Sequence, residues 1–335
     1  MTERGQRIEA FLARHGWAGA DRGTLADDAS FRRYERVALG RRSAVLMDAP
    51  PDKEDVRPFV TIAEILSGLS LSAPKLIAQD PEKGFLLLED LGDDTYTRVL
   101  AAAPDREEAL YMLAVDLLIA LHTRFTASLN IPPYDDALLA TETGLLLEWY
   151  LPAVTGRSVT KAVRRSYDAL WRELFAQTRV VPETLVLRDY HVDNLIWLPQ
   201  RSGVEACGLL DFQDAVIGPV AYDLVSLLED ARRDVPADLA NRALGRYLAA
   251  FPELDPEAFR AAYAILGAQR SAKILGIFTR LDRRDGKPDY LCHIPRVRRW
   301  LDADLRHPAL SPMRAWFEEF LPPACRTIPE QMTGP

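Results

Sequence analysis

Apolar positions give the chain two rhythms. Near the start, Ile8, Phe11, Leu12 and Trp17 predict a short amphipathic helix. Two strand-like runs follow, 33–39 and 43–47, joined by a turn at Gly40. Val60, Ile62, Ile65, Leu66 and Leu69 recur near the helical period and predict a helix over 57–69. Residues 75–78 and 85–88 read as two strands around a turn containing Pro81 and Gly84. This is a small α+β unit ending near Leu88.

Glu89-Asp90-Leu91-Gly92 breaks that pattern. A long helix is predicted over 105–125, with Pro104 at its start, and further helices over 143–151 and 161–175. Residues 184–187, 195–198 and 208–210 are three brief strands. Beyond Tyr222 the pattern is helical almost to the end, where Pro322, Pro323 and Pro329 mark an extended tail. No internal repeat or low-complexity tract interrupts it.

At 335 residues the chain exceeds what one core usually serves, so two lobes are expected. The division placed here is 1–92 for an N-lobe, with a hinge at 89–92, and 93–335 for a helical C-lobe. A net charge of -8 argues against non-specific nucleic-acid binding, although a phosphate site needs only local donors. Cys207, Cys292 and Cys325 are odd in number and form no CxxC pair, which fits a reducing compartment rather than a disulfide framework or zinc site. The charged N-terminus lacks the apolar core of a signal peptide. The longest apolar run, 110–121, contains Asp116 and is too short to span a bilayer. The expectation is a cytoplasmic monomer with no membrane or nucleic-acid partner.

The chemistry concentrates in residues 185–197, Leu-Val-Leu-Arg-Asp-Tyr-His-Val-Asp-Asn-Leu-Ile-Trp, and 209–212, Leu-Leu-Asp-Phe. Two strand-like runs flank a polar loop, and a third strand ends in Asp. Paired as a hairpin, they would bring Asp189, Asn194 and Asp211 to strand ends where the side chains can converge. One carboxylate could then orient an attacking hydroxyl and accept its proton. A carboxylate and an amide oxygen could hold Mg²⁺, a hard cation that prefers oxygen ligands. Phosphoryl transfer needs this positioning and charge neutralisation more than a strong nucleophile.

The Asp189–Asn194 spacing resembles the kinase catalytic loop, in which Asn follows the catalytic Asp after four residues. Arg188 sits where the Arg of His-Arg-Asp sits, with Leu187 in place of the His. Asp211-Phe212 resembles the metal-binding Asp-Phe-Gly, with Gln213 in place of Gly. Residues 218–224, Gly-Pro-Val-Ala-Tyr-Asp-Leu, resemble the Gly-Asp-Pro-x-Tyr-Asp-Leu of aminoglycoside-phosphotransferase-like and choline-kinase-like enzymes. There the last Asp, here Asp223, braces the catalytic loop, beside which Arg188 is a structural support. Leu118-Ile119-Ala120-Leu121-His122 resembles the Leu-x-x-Leu-His helix end of the same family.

Four further blocks are similar to the bacterial anomeric N-acetylmuramate/N-acetylglucosamine kinases of peptidoglycan recycling: residues 28–34, 46–51, 88–92 and 187–195. The resemblance implies a protein-kinase-like two-lobed α+β fold, with an antiparallel sheet in a small N-lobe and a larger, mostly helical C-lobe. It implies ATP- and Mg²⁺-dependent phosphorylation of the C1 hydroxyl of a small-molecule amino sugar. Asp189 would act on the hydroxyl, His191 would assist at the phosphoryl group or bond within its loop, and Asn194 and Asp211 would hold the metal. The Gly-rich phosphate loop of protein kinases is missing, and residues 29–34 take its place, so Ser30, Arg32 and Arg33 are candidate nucleotide contacts. The strand that carries the phosphate-binding Lys of protein kinases has Met47 there. Adenine would meet main-chain groups near Glu89 and Leu91.

Residues 258–300 carry a net charge of +7 against -15 for the remainder, which favours an acid-bearing acceptor over a polycationic one. Arg270 and Lys273 share a face of a largely apolar helix, so each requires a partner: a substrate carboxylate or an acid of the protein. Glu148 lies beside Trp149 and Tyr150, a trio suited either to a sugar or to helix packing. Another small hydroxyl acceptor (choline, homoserine, an aminoglycoside) and a catalytically silent pseudokinase are the competing readings.

Overall fold

The computed structural model describes residues 2–27, 32–126 and 131–330. In chain order its elements are α1 (Glu3–Arg14), β1 (Asp21–Asp27), β2 (Arg33–Leu39), β3 (Arg42–Asp48), α2 (Arg57–Gly68), β4 (Leu76–Asp80), β5 (Phe85–Glu89), α3 (Tyr96–Ala102) and α4 (Glu107–Arg124). Next come α5 (Asp136–Leu145), a π-helical segment (Leu146–Tyr150), α6 (Leu151–Thr155), α7 (Lys161–Thr178), β6 (Glu183–Val186), β7 (Leu195–Trp197), β8 (Cys207–Leu209) and β9 (Val216–Pro219). The chain ends with α8 (Tyr222–Leu228), α9 (Ala237–Ala250), α10 (Pro256–Asp285), α11 (Ile294–Asp304) and α12 (Ser311–Phe320). They form two compact units, residues 1–121 with 192–214, and residues 122–191 with 215–335.

The first unit is built on a five-stranded antiparallel sheet of order β1-β2-β3-β5-β4. Alternate residues of β2, β3 and β5 (Val37, Ala44, Leu46, Phe85, Leu87) bury one face against Ile8, Phe11 and Leu12 of α1. Edge strand β1, Asp-Arg-Gly-Thr-Leu-Ala-Asp, has no apolar alternation and pairs only with β2, so periodicity misses it. Gly84 closes the β4–β5 turn at φ +69°, where a Cβ would lie 1.7 Å from the carbonyl oxygen of Ala49. Only glycine allows that approach. The same unit holds the β7–β8 hairpin, tied down where Trp197 N–H donates to Asp94 O (2.8 Å) and Leu209 N–H to Ser72 O (2.9 Å).

The second unit packs around α10, a 30-residue helix buried over most of its length against α5, α7, α8 and α11. A helix with buried residues on most of its faces belongs in a core. At Gly276 a Cβ would lie 2.4 Å from the carbonyl carbon of Leu145, so the two backbones nearly touch. There α5 gives way to the π-helical turn, and the single helix expected over 143–151 becomes three pieces. The C-terminal segment lacks long elements but is anchored: Arg326 is buried and donates to Leu321 O (2.8 Å), and Thr327 O accepts from Tyr150 Oη (2.9 Å). Burial pushes the carboxyl of Glu229 up to about 7 and that of Asp304 well above its ordinary value.

One sequence expectation is corrected. Residues 184–187 and 195–198 do not form a hairpin with each other: β6 pairs with β9, and β7 with β8. The loop after β6 sends its amides to a side chain instead. Leu187 N–H and Arg188 N–H both donate to Asp223 (2.7 and 2.9 Å), and Arg188 then turns left-handed at φ +68°. No helix among the described residues is long and apolar enough to cross a membrane.

Candidate active site

In the second unit, β6 ends at Val186 and delivers Leu187, Arg188 and Asp189 into a polar setting. Asp223 sits one residue into α8 and is buried. Burial pushes its carboxyl up to about 7, although its two backbone N–H donors favour the charged form. The carbonyl of Arg188 accepts from Ser226 Oγ (3.1 Å) and Arg270 Nη1 (3.2 Å). Asp189, whose side chain is 40% exposed, has Arg270 Nη1 at 3.8 Å. Desolvation raises its carboxyl, but the charges of Lys273 and Arg270 outweigh that and hold it down to about 2. It is therefore an anion throughout the physiological range, able to accept a hydrogen bond from a hydroxyl. His191 is buried, with Nε2 3.4 Å from Arg232 Nη1. Burial lowers its pKa, so near pH 7 the ring is neutral and acts as a hydrogen-bonding group rather than a cation.

In the first unit, Val192 O accepts from Thr97 N–H (3.3 Å), and Asp193 accepts from the Thr97 hydroxyl. Asn194 O accepts from Leu210 N–H (2.9 Å), extending the β7–β8 ladder by one bond. That register brings Asn194 Nδ2 to 3.5 Å from Asp211 Oδ2. Asp211 is held at φ +56°, with Oδ1 accepting from Gln213 Nε2 (2.9 Å) and Arg32 Nη2 (3.3 Å). Phe212 is buried and stacks on Phe59 of α2 at 4.8 Å, which locks the backbone beside Asp211.

Asn194 and Asp211 fit a magnesium ion by their chemistry. Both carry hard oxygen donors, they are neighbours, and Asp211 is 32% exposed. Turning the Asn194 amide presents its oxygen in place of its nitrogen. No cluster of three or more His, Cys, Asp or Glu suited to a metal exists among the described residues. Magnesium bound mainly through water and phosphate needs only one or two protein ligands.

The remaining candidates divide. Ser30 lies outside the described residues. Arg32 also reaches Glu54 (3.2 Å), while Arg33 is exposed at the start of β2. Glu89 accepts from Arg201 Nη2 (2.7 Å), its N–H donates to Lys75 O (2.8 Å), and Leu91 is half-buried. Met47 is buried in β3. Of the two partners open to Arg270 and Lys273, the chain supplies its own: Lys273 Nζ lies 2.9 Å from Glu142, and both cations are buried. Glu148 keeps a half-exposed carboxylate 3.6 Å from Arg164, whereas Tyr150 is buried in packing. Glu142 is the residue that sequence reasoning missed. Its signal was a lone acid spaced three and four residues from Leu139 and Leu146, on the buried face of its helix.

Comparison with known proteins supplies the lineage. The model of the phosphotransferase enzyme family matches residues 23–260. A Caulobacter vibrioides protein named N-acetylmuramate/N-acetylglucosamine kinase is 40% identical, covering 96% of this chain and 98% of its own. A Pseudomonas aeruginosa protein of the same name is 42% identical, covering 90% of each chain. Among solved structures, choline kinase LicA from Streptococcus pneumoniae superposes with a TM-score of 0.64 at 15% identity, over 91% of this chain and 100% of that one. The streptomycin-ATP-APH(2")-IIa ternary complex gives 0.58 at 15% identity, over 86% and 94%. At such identities the likeness establishes the fold, the protein-kinase-like α+β class expected from the sequence. With that fold, a family match over most of its length and close relatives across nearly all of it, the chain belongs to the phosphotransferase enzyme family.

Proposed function

We propose that this chain is a kinase that transfers the terminal phosphoryl group of ATP to the anomeric C1 hydroxyl of N-acetylmuramate, N-acetylglucosamine or both, in the re-use of cell-wall amino sugars. The observation that carries the reading is that four relatives bear that one specificity in their names, at 34–42% identity and over 88–96% of this chain. Identity at that level over most of the chain supports a shared acceptor as well as a shared fold.

Residues 1–92 carry the nucleotide in this proposal, with the hinge at 89–92 offering main-chain groups to adenine and Arg32 and Arg33 offering charge to phosphate. Asp189 accepts a hydrogen bond from the acceptor hydroxyl, fixes its attacking lone pair and takes its proton as the new bond forms. A carboxyl held down to about 2 is a weak base, so its service is orientation first and proton acceptance late. Asn194 and Asp211 hold Mg²⁺, which when bound neutralises phosphate charge. Glu148, with its exposed carboxylate, is the candidate for a sugar hydroxyl. Arg270 and Lys273, both buried, act by their charge on Asp189.

The test is phosphorylation by Mg-ATP across N-acetylmuramate, N-acetylglucosamine, choline and kanamycin, with the phosphorylated carbon located by NMR. The expected product is the sugar 1-phosphate. Turnover of choline or kanamycin alone, or phosphate at another carbon, would reject the proposal.

A further inference from the structure

Arg188 is an unusual residue for its place. A left-handed φ of +68° strains any residue that carries a Cβ, and glycine would take it freely. Strain persists where surroundings over-determine it. The main chain here is held on both sides, by Asp223 at the amides of Leu187 and Arg188, and by Ser226 and Arg270 at the Arg188 carbonyl. The side chain adds what glycine could not. Its guanidinium lies over the Tyr134 ring, 5.6 Å from the centroid, and donates to Glu142 Oε1.

Glu142 is built for that grip. It lies in α5, is 5% exposed, and both its carboxylate oxygens are engaged. Oε1 also meets Lys273 Nζ at 2.9 Å, while Oε2 accepts from the Tyr134 hydroxyl and from Gln269 Nε2 at 2.8 Å. Burial would push such a carboxyl up, yet Lys273 and Arg188 outweigh it and hold the pKa below its ordinary value. Glu142 is thus an anion placed between two cations, and both of those cations also act electrostatically on Asp189.

We infer that Glu142 is a positioning residue for phosphoryl transfer: it latches the Arg188 side chain, so that the left-handed elbow presents Asp189 in one orientation. The inference rests on the reading of Asp189 as the residue that faces the acceptor hydroxyl. It does not require Glu142 or Arg188 to touch a substrate.

The latch makes an uncommon forecast. Removing the Arg188 side chain altogether is milder than leaving a methyl group, because glycine keeps the elbow without strain. Arg188→Gly retains kcat within about threefold, and Arg188→Ala falls at least about tenfold below it, with KM for ATP and acceptor little changed in both. Glu142→Gln lowers kcat by about tenfold or more at similar KM values. In the Arg188→Gly background, which has nothing to latch, the same Glu142→Gln change costs less than about threefold. Steady-state kinetics of these four variants, with thermal melts to confirm folding, test it. The latch is overturned if Arg188→Gly is as impaired as Arg188→Ala, or if Glu142→Gln loses as much in the glycine background as in the wild type. Asp189→Asn, assayed alongside, separates the two claims. Full turnover there would remove Asp189 from its role, whereas an inactive Asp189→Asn beside a fully active Glu142→Gln would discard the latch alone.

Discussion

The carboxylates that support the Asp189 elbow, Asp223 and Glu142, are held differently from Asp211 in the pair Asn194–Asp211. Behind Asp189 the supporting groups are buried and paired within the chain: two amides on Asp223, two donors on the Arg188 carbonyl, and four donors on Glu142. At Asp211 Gln213 donates at 2.9 Å, the contacts from Arg32 and Asn194 are longer, 3.3 and 3.5 Å, and a third of the side chain faces solvent. A buried charge must be satisfied by the chain itself. A carboxylate that is to hold a metal, the role proposed for Asp211, must keep room for it. The buried supports Asp223 and Glu142 are completed by folding, whereas Asp189 and Asp211 keep exposed faces, which the proposed function gives to acceptor and metal.

That contrast can be broken by experiment. The largest effect is expected at Asp189: Asp189→Asn lowers kcat by about 10³-fold, the range typical of losing a proton acceptor, while ATP binding measured by calorimetry stays unchanged. Loss of nucleotide binding there would erase the distinction. Next is Asp211→Asn, for which a loss of about 10²-fold is expected at ordinary magnesium, partly regained as the metal is raised. A titration of Mg²⁺ at saturating ATP reads this, and Asp189→Asn should show no such rescue. Activity indifferent to magnesium and to chelator would refute the metal role of Asn194 and Asp211.

A smaller loss is expected from Asp223→Asn. An amide oxygen accepts, but its NH₂ cannot, so one backbone donor loses its partner and kcat drops by about tenfold. The smallest expected effect lies outside both regions. Glu229 has a folded-state carboxyl raised to about 7, so between about pH 4.5 and 7 the folded chain holds a proton that the unfolded chain has released. The Glu229 contribution to stability therefore falls as pH climbs through that window, beside those of Asp223 and Asp304, whose carboxyls burial also raises. Glu229→Gln should flatten this slope in melting curves taken from pH 5 to 8, with kcat within about twofold of wild type. An unchanged slope would show that Glu229 is not the titrating group.

The legible parts were those with local signals. The helices of 57–69 and 161–175 and four of the five strands of the sheet followed from periodicity, while Asp189, Asn194 and Asp211 were picked out as candidates by spacing and family resemblance. Other features had no local signal. Edge strand β1 has no apolar alternation, β9 is four residues of partner-dependent pairing, and the π-helical turn lies where α10 passes close at Gly276. Arg270 and Lys273 could be recognised as cations that require partners, but not assigned to them.

What the sequence by itself determined is the order of elements, the α+β class and the identity of the chemical groups, because hydrophobic period and residue type are properties of short windows. Only the tertiary structure decided that Glu142 answers Lys273 and Arg188 across 131 and 46 positions, and that Arg188 is held left-handed before Asp189. Burial and pairing depend on which distant segments exclude water together, and no window of sequence contains both halves of such a contact.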